Sequence, residues 1–101
     1  MTDQQFETKA KAIAGALSFP AEAIGALRSL TSELGQADLL ARVNEIDQRH
    51  FYMMRTIASG YDVPDFDQEI ARTRRAITDI LTEADRRRRI ETDASAYYAQ
   101  P

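Results

Sequence analysis

The chain has 101 residues, of which 44% are hydrophobic and 29% charged, with a net charge of −3 and no cysteine. That length suits one domain with one core, any shortfall in burial being made up by oligomerising. The absence of cysteine excludes disulfides, thiolate chemistry and cysteine-ligated zinc, and no apolar run approaches the roughly 20 residues needed to cross a bilayer.

The opening Met1-Thr2-Asp3-Gln4-Gln5 lacks the basic start and apolar stretch of a secretory signal, so a cytoplasmic location is expected. Charge is polarised along the chain: six basic residues face eleven acidic ones through Ile70, whereas seven arginines face five acids from Ala71 onward. Such asymmetry serves solubility and steering without specifying a partner.

The first expected helix opens at Asp3 behind a capping box, with the Thr2 hydroxyl toward the Gln5 backbone and the Gln5 side chain reaching back; Met1 and Phe6 occupy the staple positions. Its apolar stripe is Phe6, Ala10, Ile13 and Leu17. Ser18-Phe19-Pro20 breaks it, because the residue before proline is pushed out of the helical region while proline suits a first helical turn. A second helix then runs from Pro20 to Leu34 and buries Ile24, Leu27, Leu30 or Thr31, and Leu34, ending at Gly35. Across the short loop Leu17 meets Ile24, Ile13 meets Leu27, Ala10 meets Leu30 and Phe6 meets Leu34, so residues 3–34 form a short antiparallel hairpin.

A longer hairpin follows over 38–92. On its first arm, N-capped by Asp38, the residues Leu39, Val43, Ile46, His50, Met53 and Ile57 recur at four- and three-residue steps. Phe66, Ile70, Thr73, Ile77, Ile80 and Ala84 do the same on the second arm, which starts after Pro64 with Asp65 or the following residues as a cap. Gly60 to Pro64 is the stop and turn between them. The register sets His50 opposite Thr73 and predicts a polar layer with a direct or water-bridged hydrogen bond. A second stripe on the first arm, Leu40, Phe51, Met54 and Ala58, is too wide for one neighbour, so the second helix must fold back along it. The architecture expected is all-α, four helices in two antiparallel hairpins over residues 1–93, with a flexible tail over 94–101.

Chemistry has little footing. The serines, Ser18, Ser29, Ser32, Ser59 and Ser95, have no glycine-elbow context, and His50 is the sole histidine. Asp47 and His50 have the one-turn spacing of a carboxylate–histidine metal pair, but di-iron bundles use glutamate and need further inward glutamates, which the last helix does not offer. No enzyme activity, cofactor or metal is expected.

Two surfaces remain. Beyond the reach of the second helix the long hairpin ends in Phe51, Tyr52, Met54, Tyr61, Val63 and Phe66, adaptable methionine and aromatic contacts of the kind that mark partner sites. Tyr97 and Tyr98 in the tail offer a second contact. The reading is a self-associating or partner-binding module. The alternative is nucleic-acid association through Arg72, Arg75, Arg86 and Arg89, which share one side of the last helix. Weighing against it, four consecutive arginines point in four directions and Glu83, Asp85, Glu91 and Asp93 lie among them as local partners. Past Ala84 the last helix has no partner arm left, so it must project past the base of the long hairpin or lie along the loop around Gly35, and Arg86 to Arg89 are expected to be mostly solvent-exposed.

Overall fold

Helix boundaries follow from backbone groups that would otherwise lack partners. The Gln5 N–H donates to the Thr2 hydroxyl at 3.1 Å and the Thr2 N–H donates to Gln5 Oε1 at 2.9 Å, the reciprocal cap expected for α1 (Asp3–Gly15). α2 (Pro20–Glu33) starts with proline in its first turn. It ends in a left-handed cap: Gly35 has φ +68°, its N–H bonds to Ser32 O at 3.0 Å and the Gln36 N–H reaches Thr31 O at 3.1 Å. α3 (Ala37–Ala58) closes in the same way at Gly60, with φ +87° and a Tyr61 N–H to Thr56 O bond of 3.1 Å. Both glycines occupy a backbone region that other L-residues enter at a cost, so the two loops are set by those residues.

The computed structural model describes residues 1–98, with side chains through residue 91. Its last helix, α4 (Phe66–Tyr98), is entered from Asp65 at φ +58°, whose carbonyl accepts from the Glu69 N–H at 3.0 Å. Aspartate is among the few side chains that tolerate this conformation. Two boundaries differ from expectation. Asp38 is not the N-cap of α3; Gln36 takes that position and Asp38 lies in the first turn, where its carboxylate serves another purpose described below. And α4 does not stop near residue 92 but continues to Tyr98, so part of the segment expected as a tail is helical; residues 99–101 lie outside the described residues.

The two hairpins are present, and α2 is the helix that packs against all three others. Its inward stripe, Ala23, Ile24, Leu27, Leu30 and Thr31, is fully buried, and both candidates for the third position are inside. The Thr31 hydroxyl is satisfied by donating to Leu27 O at 2.9 Å, one turn back. Polar pairs fix the registers. Lys9 pairs with Glu33 between α1 and α2, Arg28 reaches Asn44 and Asp47 between α2 and α3, and Arg49 meets Glu69 at 3.2 Å between α3 and α4. α1 also runs antiparallel beside α4: Arg74 Nε donates to Leu17 O at 3.0 Å, and Arg88 reaches Asp3 at 2.6 Å.

The seam of the long hairpin is sealed over only part of its length. Leu39, Val43, Ile77, Ile80 and Ala84 are fully buried, whereas Met53, Phe66 and Ile70 are only half-buried and Ile57 is exposed. The difference tracks α2, which covers the base of the hairpin and ends at Pro20, leaving the last two turns of α3 and the first of α4 without a third layer. The molecule is elongated, 65 Å long with a radius of gyration of 16.1 Å against about 13 Å for a compact chain of this size, in keeping with the 33 residues of α4, about 50 Å of helix.

If α2 is the wedge that closes the core, truncation there must cost far more than truncation at the far end of the seam. Leu27→Ala is expected to lower unfolding free energy by roughly 2–5 kcal/mol and Ile57→Ala by under about 1 kcal/mol, measured by urea denaturation. Equal losses would mean that the far end is packed as tightly as the base.

Candidate functional site

α2 lies in the furrow between α3 and α4, and the furrow continues past its start. From His50 to Ile57 the two long helices run on for two turns, about 10 Å, toward the Gly60 turn. The open stretch is a groove of about 460 Å³, floored by His50 and lined by Met54, Phe66 and Ile70, with Phe19 and Pro20 from the α1–α2 corner closing one end. Arg74 and Glu22 also line it. Of the partner residues expected from the sequence, Met54 and Phe66 are brought together here.

The others are placed around it. Phe51 and Tyr52 are neighbours on α3 and pack edge to face, with ring centroids 6.3 Å apart, both directed outward. Tyr61 is exposed in the turn and Val63 half-buried beside it. The side chains of Tyr97 and Tyr98 lie outside the described residues. Fractional exposures of 63% for Phe19, 59% for Phe51, 66% for Tyr52 and 70% for Tyr61 are high for aromatic rings in a folded chain. Phe19 and Pro20 escaped the sequence reading as site residues. The signal was a large apolar residue directly before a helix-starting proline, at a position belonging to neither flanking stripe.

The polar layer takes a different form from that expected. His50 is 7% exposed, so it belongs to the interior, but it makes no bond to Thr73. The Thr73 hydroxyl instead donates to Glu69 O at 3.0 Å within its own helix, the usual option for a helical threonine. Thr73 lines a small recess with Ile46 and Arg49, while His50 lines the groove on the α2 side. His50 Nδ1 is buried without a hydrogen-bond partner. Asp47 is drawn to Arg28 of α2 rather than shared with the histidine. Among the described residues no three His, Asp or Glu side chains converge as a metal site would require.

The arginine end is where the expectation of a free projection fails. The start of α1 accompanies α4 to this level, because in the short hairpin it lies beside the end of α2 and hence beside the base of the long one. Arg88 stacks over the Phe6 ring at 4.8 Å from its centroid and bridges Asp3 and Asp85. Arg87 binds both oxygens of Asp38 at 2.9 and 2.6 Å and also Glu83 at 3.0 Å, tying α4 to the first turn of α3. These two arginines are half-buried struts. Arg86 and Arg89 remain exposed but are held by Glu83 and Asp85 on their own helix, at 2.6 and 3.1 Å. Of the other nucleic-acid candidates, Arg72 meets Glu69 at 3.2 Å and Arg75 is exposed.

The pairing has an electrostatic consequence. The hydrogen bonds from Arg87 hold the Asp38 carboxyl at about 2, below its ordinary 3.8. Those from Arg86 and Arg87 hold Glu83 at about 2, against 4.5. The same carboxylates push Arg86 and Arg87 further above the arginine range, as Asp85 and Asp3 do for Arg88.

Comparison with protein-family models, with curated proteins and with solved structures finds no match to this chain. Among the described residues no helix is long and apolar enough to cross a membrane.

Because the folded-state values of Asp38 and Glu83 are depressed, their stabilisation is present above the unfolded values and disappears as pH falls through the folded ones. Stability should therefore drop between about pH 4.5 and pH 2. Asp38→Asn should lower the melting temperature at pH 7 and flatten that acid limb, and added salt should weaken the difference because these groups face solvent. An unchanged acid limb would show that the bridge to Arg87 does not persist in solution.

Proposed function

We propose that this protein is a non-enzymatic interaction or assembly module, acting through the methionine and aromatic end of the long hairpin, by self-association or by docking on a protein partner. One observation carries the reading. Six of the eight large hydrophobic side chains exposed among the described residues, Phe19, Phe51, Tyr52, Met54, Ile57 and Tyr61, gather at this end. Scattered exposed apolar residues need no explanation, but a cluster at one pole of an otherwise charged helical surface is what partner sites look like. Aromatic rings and methionine are also the side chains that dominate binding energy at interfaces. A cytoplasmic location and the absence of chemistry of its own belong to the same reading.

Nucleic-acid association is the runner-up. The guanidinium groups it would use at Arg72, Arg86 and Arg89 already face carboxylates, so phosphate contacts would have to displace them.

Phe51→Asp and Tyr61→Asp test the proposal cleanly because both side chains are exposed and neither change should disturb the core. Each is expected to lower the oligomeric mass by light scattering, or to abolish capture of a partner, with helicity and melting temperature retained. Arg86→Gln should leave both unchanged. Association through apolar contacts should persist at high salt, whereas binding to phosphate weakens steeply. Unchanged mass and partners in both aspartate variants would place the interface elsewhere, and nucleic-acid affinity lost in Arg86→Gln would favour the runner-up.

A further inference from the structure

The outward face of α3 has no layer over it and carries opposite charges at equal distances from its centre. His50 belongs to the interior, so Tyr52, two residues and about 200° further round the helix, stands on the opposite side. Glu45, Gln48, Tyr52 and Arg55 follow at three- and four-residue steps and share that side, with Phe51 on its flank. All five are exposed. The Phe51 and Tyr52 rings form their edge-to-face pair near the middle. Glu45 lies five residues before His50 and Arg55 five after, about 15 Å apart and too far to meet within one helix. The ion pairs that α3 makes among the described residues use Asp38, Asp47 and Arg49, so the Glu45 carboxylate and the Arg55 guanidinium stand without a charged partner. α2 and α4, the helices that pack on α3, cover its inward stripes and leave this side clear.

From these features we propose that the face is the contact surface of a symmetric dimer, in which α3 of a second copy lies antiparallel along it with the two-fold axis near residue 50. The inference rests on the reading of the hairpin end as a self-association surface and narrows its partner to a second copy. In this register Arg55 of each copy comes level with Glu45 of the other, twice by symmetry, and Gln48 comes level with Tyr52. The two ring pairs meet around the axis, and Tyr61 of each copy reaches the level of Leu40 and Ala41 of the other. Arg49, the cation nearest the axis, already has its charge covered by Glu69 at 3.2 Å. Area is consistent with the same arrangement. The rings of Phe51, Tyr52 and Tyr61 are 59–70% exposed and would bury roughly 300–400 Å² per copy. With the side-chain stems between them, the contact reaches the roughly 1,000 Å² in total that marks the low end of specific interfaces. A weak, concentration-dependent dimer whose register is set by charge follows.

The test is sedimentation equilibrium of the full chain over a range of concentrations, with charge reversals as the probe. Glu45→Arg and Arg55→Glu are each expected to weaken self-association by at least about tenfold, because each sets two like-charge pairs across the dimer. Mixed in equal amounts, the two variants should recover the affinity of the unaltered chain, since both pairs of a mixed dimer are then of opposite sign. No contact within one chain gives that recovery. Arg75→Glu, an exposed reversal on α4, should leave association unchanged. All three positions are exposed and the replacements are good helix formers, so helicity and melting temperature should be retained. An unaltered chain that stays monomeric, reversals that change nothing, or a mixture that fails to recover would overturn the proposal. The reading beneath it fails separately: a monomer that binds a protein partner and loses it in Tyr61→Asp leaves that reading standing, and a monomer that binds none removes both.

Discussion

The structure depends on the insertion of α2 between the arms of the long hairpin. Two helices alone bury one stripe each, and a chain of this size cannot raise a stable core from a single seam. α2 supplies the third surface: Ile24, Leu27 and Leu30 are fully buried against α1, α3 and α4 together. Its hydroxyl-bearing member, Thr31, sits in the same layer at no polar cost because it bonds to its own helix. Between the level of Pro20 and that of Ala84 the chain is therefore a packed bundle, and beyond Pro20 toward the Gly60 turn it is a two-helix projection.

That division assigns different work to the two poles. At the base, charge is structural. Arg87 and Arg88 tie the C-terminal half of α4 to the starts of α3 and α1, through Asp38 and Asp3, while Glu83 and Asp85 hold them from α4 itself. Exposed pairs contribute little one by one, but Arg87 and Arg88 are half-buried and share their carboxylates with neighbouring arginines, and Arg88 is backed by the Phe6 ring, so they brace α4 against the first turns of α3 and α1 rather than acting as isolated pairs. At the far pole charge gives way to aromatic and methionine side chains, and the groove between α3 and α4 opens where α2 would have to continue in order to fill it.

Much of this was legible from residue spacing. The stripes of α1 and α2, the capping box at Thr2, and the left-handed stops at Gly35 and Gly60 all follow from local rules, and local rules do not require knowledge of neighbours. The exposed hairpin end was legible too, from the length difference between α2 and the arms of α3 and α4. What escaped depended on tertiary placement. That α1 lies along α4 is written in no periodicity, so Arg87 and Arg88 read as solvated when they are struts. The direct His50–Thr73 hydrogen bond is not made because a helical threonine has its own carbonyl within reach, and register alone does not say which side of a seam a side chain takes. Phe19 gave no periodic signal because it belongs to a corner, and its role appears only when the corner is seen against α3 and α4.

Native-state hydrogen exchange, followed amide by amide, tests the division most directly. With α2 as the wedge, the amides of Leu27, Leu30, Val43, Ile77 and Ile80 should exchange only through global unfolding, at the full free energy measured by denaturant. Amides from Tyr52 to Ile57 and from Ile70 to Thr73, above the reach of α2, should exchange through a smaller opening that leaves the base intact. Uniform protection along α3 and α4 up to the Gly60 turn would contradict the account, since it would require a core that extends past the start of α2.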